Sequence, residues 1–168
     1  MTEEITKKPE DKKITYKEVA DFFLAFADDK GETITNLKLQ KLVYYAQAWF
    51  LANYGKPLFD GDFEAWVHGP VLPELYHQYK EKGAAPIPTS HKLEDVEAKL
   101  DAEVLDFLRE VAQVYMPSGA YELELMTHQE EPWIEARGGV GADEKCSTVI
   151  SLESMQEYYG GKIKNQTQ

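Results

Sequence analysis

The chain has 168 residues, of which 43% are hydrophobic and 29% are charged, and its formal net charge is -12. This composition is typical of one globular domain, and the excess of carboxylates disfavours direct binding to a nucleic-acid backbone. No apolar run reaches the roughly 20 residues that a membrane span requires, and the charged N-terminus MTEEITKKPEDKK lacks the hydrophobic segment of a secretion signal, so a cytoplasmic protein is expected. The one cysteine, Cys146, can form no disulfide within the chain, which fits a reducing compartment.

The N-terminal part predicts a tail and then a helix. Residues 1–13 are charged and lack aromatic side chains, so a disordered tail is predicted there. Thr15 and Glu18 then form a capping-box pattern ahead of apolar residues at helical spacing. A first helix is therefore predicted to run to about Asp29.

Residues 34–54 predict the central helix of the fold. At about 3.6 residues per turn their apolar side chains cover two opposite sides, so this helix needs apolar neighbours on both. Thr35 or Asn36 can cap its start, and Gly55 followed by Pro57 can stop it. Two narrow polar seams separate the apolar sides, and they consist of Lys38 with Lys41 and Gln40 with Gln47.

The segment after the central helix changes to an alternating pattern. It predicts a short extended piece at residues 63–67, and a second extended piece is predicted at residues 148–150. The two pieces could pair as a small sheet or remain irregular. Pro70 and Pro73 both suit the first turn of a further helix, which Gly83 ends.

The second half of the chain predicts mostly helices. One is predicted over residues 95–116, a short one is capped by Ser118, Pro132 opens another turn, and Ser151 caps a last helix that ends at Gly160. The predicted fold is mainly α: a single-domain helical bundle around a central buried helix, with at most a small two-stranded β element. The domain is predicted over residues 14–160, followed by a C-terminal tail over residues 161–168.

Candidate catalytic groups are weak in this sequence. Glu74 and His77 stand three residues apart on a predicted helix, which is the spacing used in carboxylate-bridged metal sites of helical bundles. Such a site needs a second pair and further carboxylates, so a solvated helix face is the preferred interpretation. We predict no enzyme and no catalytic, cofactor-binding or metal-binding residue. The alternative left open is a small metal-dependent hydrolase that uses this pair and another histidine.

Aromatic residues are the remaining unusual feature, because the chain contains ten tyrosines and three tryptophans. Tyrosine and tryptophan gather at protein interfaces, where they offer rigid area with a polar tip. The predicted partner-binding residues are Trp66, His68, Tyr76 and Tyr79, which cluster near the turn and the short helix that follows it. A rival surface is the seam of Lys38 and Lys41, whose charges could pair with an acidic partner.

Several sequence words are specific to one family. LQKLVYYAQ, EAW, HGPV and PELY occur in that order between residues 39 and 76, and THQEEPW follows at residues 127–133. With these words the chain resembles the Panacea antitoxin domain family, which includes SocA-like antitoxins and phage-associated GepA-like proteins. The resemblance covers about residues 15–160.

The resemblance implies an antitoxin of a toxin-antitoxin system. Such a protein neutralises a co-encoded toxin, whose gene is expected next to its own, by direct protein-protein binding. An alternative role implied by SocA-like members is that of a proteolytic adaptor, which delivers the toxin to an ATP-dependent protease. No cofactor, membrane or direct nucleic-acid partner is implied.

Overall fold

A computed structural model describes residues 13–166, which contain eight α-helices and one β-hairpin. The elements are α1 (Tyr16–Asp29), α2 (Asn36–Tyr54), β1 (Glu64–Trp66), β2 (Gly69–Val71), α3 (Pro73–Gln78), α4 (Leu93–Ala98), α5 (Ala102–Tyr115), α6 (Ala120–His128), α7 (Glu131–Arg137) and α8 (Leu152–Gln166). The mainly α fold with a two-stranded β element is therefore confirmed. The predicted N-terminal tail lies outside the described residues, except for Lys13.

The first two helices begin and end as their local chemistry predicts. The Thr15 hydroxyl accepts a hydrogen bond from the Glu18 backbone N–H, and the Glu18 carboxylate accepts one from the Thr15 N–H, which completes the capping box. Thr35, rather than Asn36, caps α2. Gly55 ends α2 in the left-handed region, with φ at 71°, and its N–H donates to the carbonyl of Leu51.

The helix α2 is buried on opposite sides, as predicted. Thirteen of its 19 residues are buried, and it packs against α1, α5, α6, α8 and the hairpin. The glutamine seam binds loop backbone instead of solvent. Gln47 accepts from the N–H groups of Leu58 and Phe59, and Gln40 accepts from the N–H of Leu72. Each buried amide oxygen thus accepts hydrogen bonds from backbone N–H groups that have no partner within a helix.

The hairpin corrects one prediction. β1 and β2 are antiparallel, and Ala65 lies opposite Pro70. Pro70 is therefore a strand residue, and its predicted place in the first turn of a helix is wrong. Pro73 does begin α3, as predicted. Because Pro70 has no N–H, its strand can donate nothing at that position, but its carbonyl remains available as an acceptor.

The two predicted extended pieces do meet. The Ala65 N–H donates to the carbonyl of Thr148 at 2.9 Å, and the Ile150 N–H donates to the carbonyl of Phe63 at 2.7 Å. These bonds form an isolated antiparallel bridge between Glu64 and Val149, so β1 is bonded on both of its edges. The bridge places the start of α8 beside the hairpin.

Three helix boundaries differ from the predictions. The helix predicted over residues 95–116 is broken between α4 and α5, because the backbone at Asp101 is extended, with ψ at 145°. Gly119, not Ser118, precedes α6. The Ser151 hydroxyl accepts from the Ser154 N–H as predicted, but α8 continues beyond Gly160 to Gln166.

Candidate functional site

The tight turn of the hairpin is pressed against α2 and α6. Gly69 has φ at 100°, a conformation that side chains disfavour. A Cβ atom at Gly69 would lie 2.6 Å from Cε of Lys41 and 2.8 Å from Oγ1 of Thr127. Glycine is therefore required here both by the backbone conformation and by the two side chains beneath it.

Lys41 is a fully buried lysine below this turn. Its ammonium nitrogen donates to the carbonyl of Pro70 at 3.0 Å. Burial lowers the pKa of Lys41 to about 7, and the nearby Glu124 carboxylate opposes this shift. The prediction that Lys38 and Lys41 form an exposed cationic seam is therefore wrong for Lys41. Lys38 is half-buried, and its ammonium donates to the carbonyl of Met116 at 2.6 Å.

His68 connects the turn to α6. Its Nδ1 atom lies 2.7 Å from a carboxylate oxygen of Glu124. The His68 side chain is 68% exposed, whereas the Glu124 side chain is 11% exposed. An ionised carboxylate can only accept, so Nδ1 of His68 is the donor in this bond. The contact fixes the imidazole at the protein surface and fills an acceptor site on a mostly buried carboxylate.

Residues of the THQEEPW segment hold the other side of the hairpin. The rings of His128 and Trp133 stack with their centroids 4.0 Å apart and their planes 15° apart. The Trp133 indole N–H donates to the carbonyl of Trp66 at 2.8 Å, and the Arg137 guanidinium donates to the carbonyl of Ala65 at 2.8 Å. Two residues of α7 are thus bonded to the backbone of β1, and one of them stacks on the last residue of α6.

The buried stack disfavours a positive charge on the His128 ring. Burial lowers the pKa of His128, while the Glu124 carboxylate and a backbone hydrogen bond to Val67 raise it by less. Its Nε2 atom is buried and has no hydrogen-bond partner within the described part of the protein. A proton on Nε2 would therefore be left without an acceptor, which favours the tautomer that is protonated at Nδ1.

A second polar cluster lies in the core around Glu130, which belongs to the THQEEPW segment. The Glu130 carboxylate accepts from the hydroxyls of Tyr45 and Tyr159, each at 2.8 Å. The hydroxyls of Tyr44 and Tyr159 lie 3.2 Å apart. Burial raises the pKa of Glu130, and the two tyrosine hydrogen bonds lower it by less. Sequence analysis missed this role of Glu130, because the bonding residues are about 85 and 29 positions away.

The predicted partner-binding aromatics are half-buried. The Trp66 indole N–H donates to Glu64 at 2.8 Å, and its ring meets that of Tyr76 edge-on at 5.0 Å. Tyr79 is half-buried as well, and its hydroxyl accepts from Gln78 at 3.3 Å. Among the predicted surface residues, His68 alone is exposed to solvent over most of its side chain. Binding by Trp66, Tyr76 and Tyr79 stays a prediction.

An exposed apolar face on α6 was not predicted. Tyr121 is 68% exposed, Leu125 is 41% exposed and Met126 is 37% exposed. Tyr121 and Leu125 are one turn apart, so their side chains are neighbours. The opposite side of α6 is buried through Leu123 and Thr127. The sequence did contain a signal for this face. The segment AYELELM has more apolar residues than one buried face of so short a helix can hold.

The pair of residues considered as metal ligands lies on the protein surface. Glu74 and His77 are both exposed on α3. Between residues 13 and 166, no three side chains of histidine, cysteine, aspartate or glutamate come together as metal ligands. Over the same range, no helix combines the length and the apolar character needed to cross a membrane.

The geometry defines a mainly α-helical protein in which hydrogen bonds join a hairpin to three helices, beside an exposed apolar helix face. Residues 39–134 of the chain match the model of the family described as Antitoxin SocA-like, Panacea domain. This match covers more than half of the chain, so the protein belongs to the SocA-like Panacea domain family. The resemblance found in the sequence words is thereby confirmed.

The curated relative that matches is similar to this chain over only part of its length. Antitoxin SocA of Caulobacter vibrioides (strain NA1000 / CB15N) is 45% identical over 65 residues, which are 39% of this chain and 35% of that protein. The matched part of the chain thus spans about a third of the length of that relative. No solved structure matches the chain.

Proposed function

We propose that this protein is an antitoxin that neutralises a toxic protein by binding to it directly. Membership of the SocA-like Panacea domain family supports this role, and so does the name of the matched relative. The family match begins in α2 and ends in α7, so it includes the hairpin, His68 and all of α6. The proposed binding surface lies within that segment.

The observation that carries the proposal is the outward face of α6. Tyr121, Leu125 and Met126 expose apolar area on one helix of nine residues. Single exposed apolar residues are ordinary, but a group of them on one face marks a site that another macromolecule covers. Tyrosine adds a polar tip and rigid area, which suits the centre of a protein interface.

The surroundings of α6 favour a surface that exists before the partner arrives. His68 bonds to Glu124 of α6, and Trp133 and Arg137 bond the next helix to β1. Because these contacts fix the helix relative to the hairpin, binding requires little further ordering. His68 extends the proposed surface toward the hairpin, where Trp66 and Tyr76 lie half-buried.

Co-expression with the neighbouring genes tests this function. Each flanking gene is induced alone and together with this protein, and growth is followed. We expect one flanking product to stop growth alone, growth to return when this protein is present, and the two proteins to co-purify. If growth does not return and no complex forms, the proposed function is wrong.

The same assay separates direct neutralisation from delivery to a protease. The growth test is repeated in a host that lacks its ATP-dependent proteases. Neutralisation by binding alone predicts that growth is still restored in that host. An adaptor predicts that rescue is lost while the complex still forms.

A further inference from the structure

We propose that the outward face of α6 binds a positively charged amphipathic segment of the partner protein. The face consists of Tyr121, Glu122, Leu125 and Met126, and we call it the α6 face. This inference rests on the proposed function for its biological setting. It adds the chemistry of the partner, which neither the family nor the relative specifies.

The charge pattern around the α6 face is one-sided. Residues 110–136 contain six glutamates and no lysine or arginine, so all 18 lysines and arginines lie elsewhere. The glutamates are Glu110, Glu122, Glu124, Glu130, Glu131 and Glu135. Four of them are exposed, whereas Glu124 is buried and Glu130 is half-buried. The stretch of chain that contains the α6 face therefore carries an excess of exposed carboxylates.

Nearby cations offset this negative charge only in part. The Glu122 carboxylate interacts with the half-buried Lys38 ammonium and so opposes the lowering of the Lys38 pKa by burial. The Lys38 ammonium donates to the carbonyl of Met116 at 2.6 Å, and the Lys41 ammonium is buried under the hairpin, where it donates to Pro70. The Arg137 guanidinium is bonded to the carbonyls of Ala65, Gly141 and Glu144. Lysine and arginine side chains of a partner would add the opposite charge that Lys38, Lys41 and Arg137 supply to this stretch only in part.

A second copy of this chain is a poor occupant of the α6 face. Symmetric contact would bring Glu122 of one copy close to carboxylates of the other, and like charges at an interface cost affinity. A wholly cationic segment is also insufficient, because it would leave Tyr121 and Leu125 uncovered. The best match has apolar side chains one helical turn apart with lysine or arginine on both flanks.

Peptide binding to the whole protein tests this partner chemistry. The probe is a fluorescein-labelled helical peptide of about 18 residues, with leucine at the positions of one apolar stripe and lysine elsewhere. One control peptide carries glutamate in place of every lysine, and a second has the composition of the probe in scrambled order. Fluorescence anisotropy is measured at low salt.

Two double variants locate the binding surface. Tyr121→Ala with Leu125→Ala removes the apolar centre, and Glu122→Lys with Glu131→Lys reverses the charge of two exposed glutamates. Since these side chains are exposed, the variants should keep the wild-type circular dichroism spectrum. The charge variant tests the proposal independently of any loss of packing in the first.

A matched control variant changes the same residue types at positions distant from α6. Tyr54→Ala with Glu103→Lys also combines an exposed tyrosine with an exposed glutamate. Tyr54 is 13 residues beyond Lys41 on α2, or about 20 Å along the helix axis, and Lys41 lies below the hairpin near Glu124 of α6. This variant should bind the probe like the wild type.

We expect the basic amphipathic peptide to bind and each α6 variant to weaken its binding at least about tenfold. The scrambled peptide should bind at least about tenfold more weakly, and the acidic peptide should not bind. Equal binding of basic and scrambled peptides, or unchanged binding by the α6 variants, would overturn the proposal. Self-association that disappears in the Tyr121→Ala with Leu125→Ala variant would assign the face to a second copy and overturn it as well.

The growth assay distinguishes this inference from the proposed function. If the wild-type protein rescues growth and both α6 variants rescue it at the same dose, the function stands and the α6 face is the wrong surface. If the wild-type protein binds the basic amphipathic peptide through the α6 face but never rescues growth, the surface stands and the antitoxin role is wrong.

Discussion

Replacement of Lys41 by methionine should change how stability depends on pH. Lys41 is fully buried, and burial lowers its pKa from 10.5 to about 7. The unfolded chain therefore binds a proton more tightly than the folded protein between these two values. Below about pH 7 both states are protonated, and the cost of burying the charge is fully present. As the pH rises from 7 toward 10.5 this cost is relieved, so the wild type becomes more stable.

The size of the effect follows from the two pKa values. Their difference corresponds to about 5 kcal/mol between the fully charged and the fully neutral limits. Between pH 7 and pH 9 the relief amounts to about 2 kcal/mol. Methionine fills a similar volume but cannot titrate. The free energy of unfolding of the wild type minus that of Lys41→Met should therefore rise by about 2 kcal/mol over this range.

Urea unfolding at pH 7, 8 and 9, followed by tryptophan fluorescence, measures this difference. Other groups, such as Cys146, titrate in both proteins and cancel when the variant is subtracted. Val43→Ala is the control, because it removes buried apolar atoms from the same helix without removing a charge. Its loss of stability should be the same at each pH. A Lys41→Met difference that is equally constant would show that Lys41 does not lose its proton in this range, and the reasoning from burial would be wrong.

Substitutions of three further residues, Gly69, Thr15 and Glu130, test single contacts. In thermal melts, Gly69→Ala should lower the free energy of unfolding by about 2 kcal/mol or more, since Gly69 has a positive φ and crowded surroundings. Gly139→Ala should change little in the same measurement, because the space around Gly139 is open. Thr15→Ala should cost about 1 kcal/mol by removing the cap of α1, and an unchanged urea midpoint would contradict the capping role. Glu130→Ala should cost about 2 to 4 kcal/mol in calorimetry because two tyrosine hydroxyls lose their acceptor, and Glu130→Gln should cost less, since it keeps an oxygen.

Helix ends with their own local chemistry could be predicted from the sequence. Thr15, Gly55 and Ser151 each act through backbone groups within four residues, so their roles need no knowledge of the rest of the fold. The break before Asp101 could not be predicted in this way. Apolar residues continue across it at helical spacing without a glycine or a proline, so the periodicity alone predicts one continuous helix.

The side chains that face solvent were harder to predict from the sequence than the family to which the chain belongs. Periodicity placed Lys41 in a polar seam, but the hairpin that covers this seam comes from residues about 30 positions later. Likewise, the pattern of the HGPV segment does not reveal that Pro70 pairs with Ala65 in a strand. The sequence words identified the segments that meet at the site. Which of their side chains face solvent depends on pairing between segments, and a single sequence does not encode that pairing locally.

The tyrosine cluster has a consequence for how the protein is made. Tyr44 and Tyr45 of α2 are covered by Tyr159 of α8, which bonds to the same Glu130 carboxylate as Tyr45. Residue 159 is translated about 105 residues after α2 is complete, roughly 5 to 20 s later at common elongation rates. During that interval the nascent chain carries an apolar helix with one side uncovered. Chains released before α8 would therefore expose the middle of the core to chaperones and proteases.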